Sequence, residues 1–132
     1  MFDFSLSGMA NGNIHPARAI MMDSSTRHRV IEATAGASCI GIAQIGERRD
    51  PSNSDGYAAI AGEPIKYWGH GAKDVPAWLG GSVTAGQRLK ATTGGKLIAT
   101  TSDGDEYVAR AKMDGADGDF INVDVELGQR GA

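Results

Sequence analysis

Apolar and polar residues alternate with a period of two along several short segments of the chain, a pattern typical of half-buried β-strands. The clearest example is segment 119–127, DFINVDVEL. One face carries Ile121, Val123, Val125 and Leu127, and the other carries Phe120, Asn122, Asp124 and Glu126. No window has apolar residues three and four apart over three turns, as an amphipathic helix requires. We therefore predict an all-β protein of about eight short antiparallel strands, with at most a short helix around residues 75–79.

The order of strands and turns occurs twice along the chain. Four apolar positions of the first half correspond in order to four of the second, at nearly constant separation except for the last pair. The corresponding pairs are Ile20 with Leu89, Val30 with Leu97, Ile40 with Val108, and Ile65 with Ile121. Two hairpin-rich halves of this kind bury a shared interior by closing on each other, which also removes exposed strand edges. The repetition predicts a small β-barrel or β-tulip-like module with a pseudo-twofold internal repeat and an interior filled by side chains.

Two segments lie outside this duplicated pattern. We expect one domain over residues 1–132, with an extended N-terminal arm at 1–15, a β-rich core at 16–128 and a projecting loop at 46–60. The arm is either a frayed end or an extra edge strand of its own chain, or a segment that pairs with a neighbouring subunit. The loop is either solvated without a partner or holds a partner's carboxylates. If the two segments bind partners, the candidate contact residues are Phe2, Phe4, Leu6, Met9, Arg48, Arg49 and Tyr57.

Composition and charge limit the classes of partner. A chain of 132 residues with 41% hydrophobic content builds one packed core. The net charge of −3, from 13 basic and 16 acidic residues, argues against wrapping nucleic acid or lying on anionic lipid. Cys39 is the only cysteine and fits a reducing compartment. No apolar run approaches the roughly 20 residues that span a bilayer, so we expect a soluble protein that is intracellular when synthesised.

Candidate catalytic and metal-binding residues do not gather in the sequence. The three histidines, His15, His28 and His70, stand far apart and lack the spacing of zinc ligands. Cys39 lies in an apolar segment expected to be a strand, where an inert buried thiol is the usual role. The acid-rich turns do not follow the ligand order of a calcium-binding loop. We predict no catalytic residues, no cofactor and no metal, and we do not expect an enzyme.

A series of segments in fixed order resembles the capsid cement, or decoration, proteins of tailed bacteriophages. The segments are PARAIMMD, RVIEATAGASCIGIAQ, AGEPIKYWG, GGSVTAGQRLKATTGGKLIATT and YVARAKMDGADGDFINVDVELG, which together cover about residues 16–128. They are turn and strand signatures, and their order carries the resemblance. The sequence departs from the family at Gln87, where Asp is usual, and in the length of the loop that follows residue 45.

The resemblance implies a β-rich module that binds the outside of an assembled phage head and has no enzymatic activity. Its partners would be the major capsid protein and further copies of itself, as a homotrimer or a dimer, and it would be synthesised in the host cytoplasm and reside in the virion. Deleting residues 1–14 would then leave a folded protein that no longer holds the head. Two other functions stay open, a tail or baseplate component, and a small ligand-binding barrel or enzyme using Trp68, His70 and Asp74.

Overall fold

The computed structural model describes residues 5–23, 29–44, 59–100 and 104–129, and these residues are almost entirely β-strand and turn. They form ten strands and a three-residue 3₁₀ turn at Thr93–Gly95. The strands are β1 (Ser5–Ala10), β2 (Ala19–Met22), β3 (Arg29–Glu32), β4 (Gly41–Ala43), β5 (Pro64–Trp68), β6 (Val75–Trp78), β7 (Arg88–Ala91), β8 (Leu97–Ala99), β9 (Glu106–Ala111) and β10 (Phe120–Gln129). The all-β class predicted from the alternation is confirmed.

The first five strands close into a small barrel in the order β1, β3, β2, β4, β5. The neighbouring pairs are antiparallel except for β1 and β3, which are parallel. Closure depends on β1, which lies between β5 and β3 and hydrogen-bonds with both. Apolar side chains fill the barrel, and the buried ones are Ala10, Ile14, Ile20, Val30, Ala43, Ala59 and Ile65. The interior is therefore packed, as in other barrels of this size.

The last five strands form an antiparallel sheet in the order β6, β10, β9, β7, β8. Its outer strands approach each other at one point, because Leu79, directly after β6, makes a parallel bridge with Leu97 in β8. The sheet therefore curls towards a barrel without closing along the length of its strands.

The internal repeat is confirmed in the pairing of the strands. When β1 to β5 are matched in order with β6 to β10, the strands of the second sheet keep the neighbours of their counterparts, except that β6 and β8 meet only at the Leu79–Leu97 bridge. The match extends to single hydrogen bonds, since Ile14 and Ala59 exchange two backbone bonds and Val83 and Gly115 exchange two at the matching place. The four residue pairs predicted from the sequence lie at matching positions in this alignment.

The repeat includes β6, which the sequence did not reveal. Residues 75–79 were expected to form at most a short helix, but Val75 and Ala77 alternate inward from an extended strand that pairs with β10. A proline inside a strand removes one backbone donor, and Pro76 is tolerated because β6 is an outer strand of its sheet. The segment is therefore a strand and not a short helix, because pairing with β10 determines the local conformation.

The counterpart of β6 is β1, which lies inside the segment expected to be an arm. The structure shows this segment as a strand of its own chain, but not as the edge strand expected, because Ser5–Ala10 pairs with β5 on one side and with β3 on the other. Ala10 and Ile14 are completely buried in the barrel. A chain that lacks residues 1–14 would lose a barrel strand and two core residues, so it is not expected to fold.

The two halves join through the outer face of the barrel. Ile20 and Ala43 point into the barrel, whereas their neighbours Ala19 and Ile42 point outward and pack in a larger apolar cluster with interior residues of the second sheet such as Leu89. The barrel therefore closes within the first half, instead of between the halves as the repetition suggested. The reason is β1, which supplies a fifth strand to the first half.

Candidate interaction surfaces

An aromatic pair lies at the edge of the second sheet, close to the junction between the halves. Trp78 in β6 is directly opposite Phe120 in β10, and their rings stack with centroids 4.9 Å apart and planes inclined by 29°. Phe120 is 54% exposed, although large apolar side chains such as Phe are usually buried. Phe120 therefore presents an apolar surface to the solvent at this edge.

A buried arginine from the other half supports this aromatic pair. The Arg18 guanidinium lies 4.1 Å from the centroid of the Trp78 ring, within the range of a cation–π contact. Arg18 is only 9% exposed, and its Nη1 donates a hydrogen bond of 3.0 Å to the carbonyl oxygen of Gly94. Arg18 precedes β2, whereas its two partners belong to the second half, Trp78 in β6 and Gly94 in the turn between β7 and β8, so these contacts fix the halves relative to each other.

The charge of Arg18 is balanced by Glu32 at the end of β3. Its Oε2 lies 3.9 Å from Nη1 of Arg18 and accepts two bonds from His15, one from the backbone N–H and one from Nδ1, both at 2.7 Å. A carboxylate accepts and does not donate, so Nδ1 of His15 carries the proton. Among the described residues, Nε of Arg18 and Nε1 of Trp78 are buried donors without an acceptor. Water is the ordinary acceptor for such groups.

An open groove lies between the halves and contains the cysteine. This groove has a volume of about 340 Å³ and is lined by Ser38, Cys39, Glu106, Tyr107, Leu127 and Gly128. Cys39 was expected to lie in a strand, but it precedes β4 and lies outside the strands. Burial, followed by the charge of Glu106, raises the pKa of its thiol to about 12. The thiol is therefore protonated at neutral pH, which is the opposite of what an activated nucleophile needs.

The three residues suggested for a ligand-binding or enzyme site have structural partners. His70 Nδ1 accepts a 2.9 Å hydrogen bond from the backbone N–H of Leu127, and Asp74 accepts one of 2.9 Å from Lys112. Trp68 packs against the larger apolar cluster. None of the three lines the groove that contains Cys39. These contacts give each of the three residues a role in the fold.

The described ranges are residues 5–23, 29–44, 59–100 and 104–129. Within them, no group of three or more His, Cys, Asp or Glu side chains is arranged to hold a metal ion. In the same part of the chain, no helix has the length and apolar character needed to cross a membrane.

Of the candidate contact residues predicted from the sequence, the structure describes Leu6 and Met9. Leu6 is 47% exposed and lies opposite Tyr67 in β5. Met9 is partly buried and pairs with Arg29 in β3. Phe2, Phe4, Arg48, Arg49 and Tyr57 lie outside the described residues. The structure adds an exposed aromatic residue that was not predicted as a contact residue, Phe120. It could have been found from the sequence, because it is an apolar residue on the polar face of an alternating strand.

Comparisons with known proteins show the fold and not a family. No family model matches the sequence, and no curated protein matches it. Among solved structures, the chain is similar to the N base of the head fiber protein gp8.5 of bacteriophage phi29. The two have a TM-score of 0.64 and 12% sequence identity, and the likeness covers 95% of each chain. The fold of this chain is therefore the fold of a known phage structural protein, along nearly its whole length.

Proposed function

We propose that this protein is a capsid cement, or decoration, protein that binds the outer surface of a phage head and bridges neighbouring major capsid subunits. The observation that supports it most is the shared fold with a phage head fiber base across 95% of both chains. The order of turn and strand signatures along the sequence gives independent support. No catalytic step is part of this function.

The physical mechanism is linkage between binding and shell closure. A head filled with DNA strains its subunit interfaces, and a ligand that binds only the closed arrangement stabilises it by its binding free energy. Identical sites repeated over the shell allow bivalent or trivalent contact, which adds avidity. The packed barrel interior and the apolar junction supply the stiffness that a bridging module needs.

We place the contacts with the shell at the N-terminal segment and at the loop that follows β4. The proposed contact residues are Phe2, Phe4, Leu6, Met9, Arg48, Arg49 and Tyr57. The exposure of Leu6 supports this choice, because an apolar side chain that is half exposed on a free monomer is available for burial. We propose a homotrimer on the capsid exterior, with a dimer as the alternative, and no direct contact with the packaged nucleic acid. Its synthesis in the host cytoplasm belongs to the same proposal.

A second candidate is the base of a fibre attached to the head, and the structural likeness to the head fiber N base favours it. Both functions need a site on the shell. They differ in their consequence, since a cement protein raises the resistance of the shell to rupture, whereas a fibre base anchors an appendage without changing that resistance. A tail or baseplate component would bind neither expanded nor unexpanded heads.

Cosedimentation of the purified protein with expanded and unexpanded phage heads, followed by thermal rupture of the decorated heads, tests these functions. We expect preferential binding to expanded heads and a higher rupture temperature at full occupancy. Leu6→Ser is expected to reduce occupancy, while Met113→Ser, a change at an equally exposed apolar residue in the loop before β10, serves as the matched control. Binding without a change in rupture temperature would favour the fibre base, and no binding to either form would refute a head protein.

A further inference from the structure

The outer face of the barrel and the matching face of the second sheet have opposite chemistry. In the barrel, Ala19 in β2 is directly opposite Ile42 in β4, and both are completely buried against the second half. The repeat matches these positions with Arg88 in β7 and Arg110 in β9, which are also directly opposite each other. The same face that is apolar and covered in the first half is therefore cationic and open in the second.

The two arginines are not equally compensated. Nε of Arg110 donates to the carboxylate of Glu126 at 3.0 Å. Arg88 is exposed, and its guanidinium lies 4.8 Å from the centroid of the Tyr107 ring without donating a hydrogen bond to any of the described residues. Like charges directly opposite on neighbouring strands repel each other. An anion placed between the two guanidinium groups would remove that repulsion and supply acceptors to Arg88.

The space for such an anion is present. A groove of about 360 Å³ lies over this pair and is lined by Gly86, Gln87, Arg88, Thr100 and Arg110, none of which is acidic. The planar guanidinium group binds a carboxylate through two parallel hydrogen bonds. We propose that this groove binds carboxylate side chains of an acidic segment on a partner protein. That the partner belongs to a phage shell rests on the proposed function, whereas the site itself does not.

Carboxylates of a protein fit this groove better than the phosphates of a nucleic acid. Asp124 lies directly opposite Arg110 on the next strand, and Glu126 is bonded to Arg110, so the basic patch ends at a row of acids. A nucleic-acid strand carries a continuous row of phosphates and needs a longer basic track. Two guanidinium groups beside acids suit one or two carboxylates. The net charge of −3 also disfavours binding of a nucleic acid.

The test uses the full chain labelled with ¹⁵N and a hexaglutamate peptide as the probe, at low ionic strength. We expect the peptide to shift the Nε–H signals of Arg88 and Arg110 saturably, and Arg88→Gln to weaken its affinity by about tenfold, the loss of one charge-assisted bidentate contact. Arg88→Lys keeps the positive charge but lacks the planar guanidinium group that donates two parallel hydrogen bonds, so it should recover only part of that affinity. Lys73→Gln makes the same change of charge at an exposed lysine outside the groove and should bind the peptide as the unaltered chain does.

Three outcomes would overturn the site. They are no saturable shift at the arginines, an equal loss of affinity in the Lys73 control, and binding of a hexanucleotide at least as tight as that of the peptide. Head cosedimentation separates this inference from the proposed function. If the unaltered chain and Arg88→Gln bind heads equally, the groove is not the shell contact. If neither binds heads while the peptide still binds at the arginines, the proposed function fails and the site stands.

Discussion

We expect the two halves to unfold as one cooperative unit, although the barrel has its own packed interior. The matched perturbations are Ile20→Ala in the barrel and Leu89→Ala in the second sheet, since both side chains are completely buried and the repeat places them at equivalent positions. Truncating a buried Ile or Leu to Ala costs about 2–5 kcal/mol. The unfolding entropy of about 2.1 cal/mol/K per residue gives about 0.28 kcal/mol/K for 132 residues. A loss of about 3 kcal/mol therefore lowers Tm by about 11 °C.

The assay uses the two tryptophans of the chain as separate reporters. Trp68 lies in β5 of the barrel and Trp78 lies in β6 of the second sheet. Replacing one of them with Phe isolates the fluorescence of the other, and each core substitution is then compared with its own single-tryptophan background. Because Ala19 and Ile42 join the barrel to the larger cluster, damage to either core should reach both reporters.

The expected result is that both reporters share one transition in every variant and that each core substitution shifts both by a similar amount. Calorimetric and van't Hoff enthalpies should then agree. If Ile20→Ala lowers the transition at Trp68 and leaves the one at Trp78 in place, the halves are separate folding units. The single-domain expectation and the argument from the shared cluster would then both be wrong.

Four further outcomes are expected. Gly95→Ala should destabilise the fold by about 1–3 kcal/mol more than Gly62→Ala in thermal melts, because both have positive φ but only the former would press a Cβ on the backbone of β2. Cys39 in the native protein should react with a thiol reagent at pH 8 at least about tenfold more slowly than in urea-unfolded chain, since burial raises its pKa to about 12. The same shift means that stability falls as the pH rises from about 9 towards 12, because the unfolded thiol then loses its proton and the folded one keeps it. Trp78→Ala should cost about 3–5 kcal/mol in urea unfolding, whereas Phe120→Ala, with half its side chain in solvent, should cost under about 2 kcal/mol.

Much of the fold could be predicted from the sequence because the alternating strands carry a clear apolar face. The four predicted residue pairs lie at matching places. For Ile20 and Leu89 the match includes the residues opposite them on the next strand, Gly41 and Ala109. β1 was not recognised as part of the repeat because its inward face carries small residues, Gly8 and Ala10. Gly8 lies against the side chains of Val30 and Tyr67, so the partner ring, and not β1 itself, fills that part of the barrel.

The contacts of Arg18 with Trp78 and Gly94 could not be predicted, because these residues are far apart in the sequence. Arg18 reaches Trp78 and Gly94 only when the outer face of the barrel packs on the second sheet. An arginine between two alanines at the start of a strand carries no signal of that contact. For the proposed shell contacts the limit is different, since Phe2, Phe4, Arg48, Arg49 and Tyr57 lie outside the described residues.

The contrast between the two matching faces leads to a last expectation, on self-association. If Arg88 and Arg110 keep the second face open, then Arg88→Ala combined with Arg110→Ile, which copies Ala19 and Ile42, creates an apolar pair with no partner in its own chain. Exposed apolar area favours association, and an uncovered face of a repeat allows head-to-tail addition without closure. Sedimentation velocity over a range of concentrations should show a larger rise in mass for this double variant than for Arg88→Gln with Arg110→Gln, which removes the same charges but stays polar. Equal behaviour of the two would mean that removal of charge alone controls association, and that the arginines do not act by keeping this face polar.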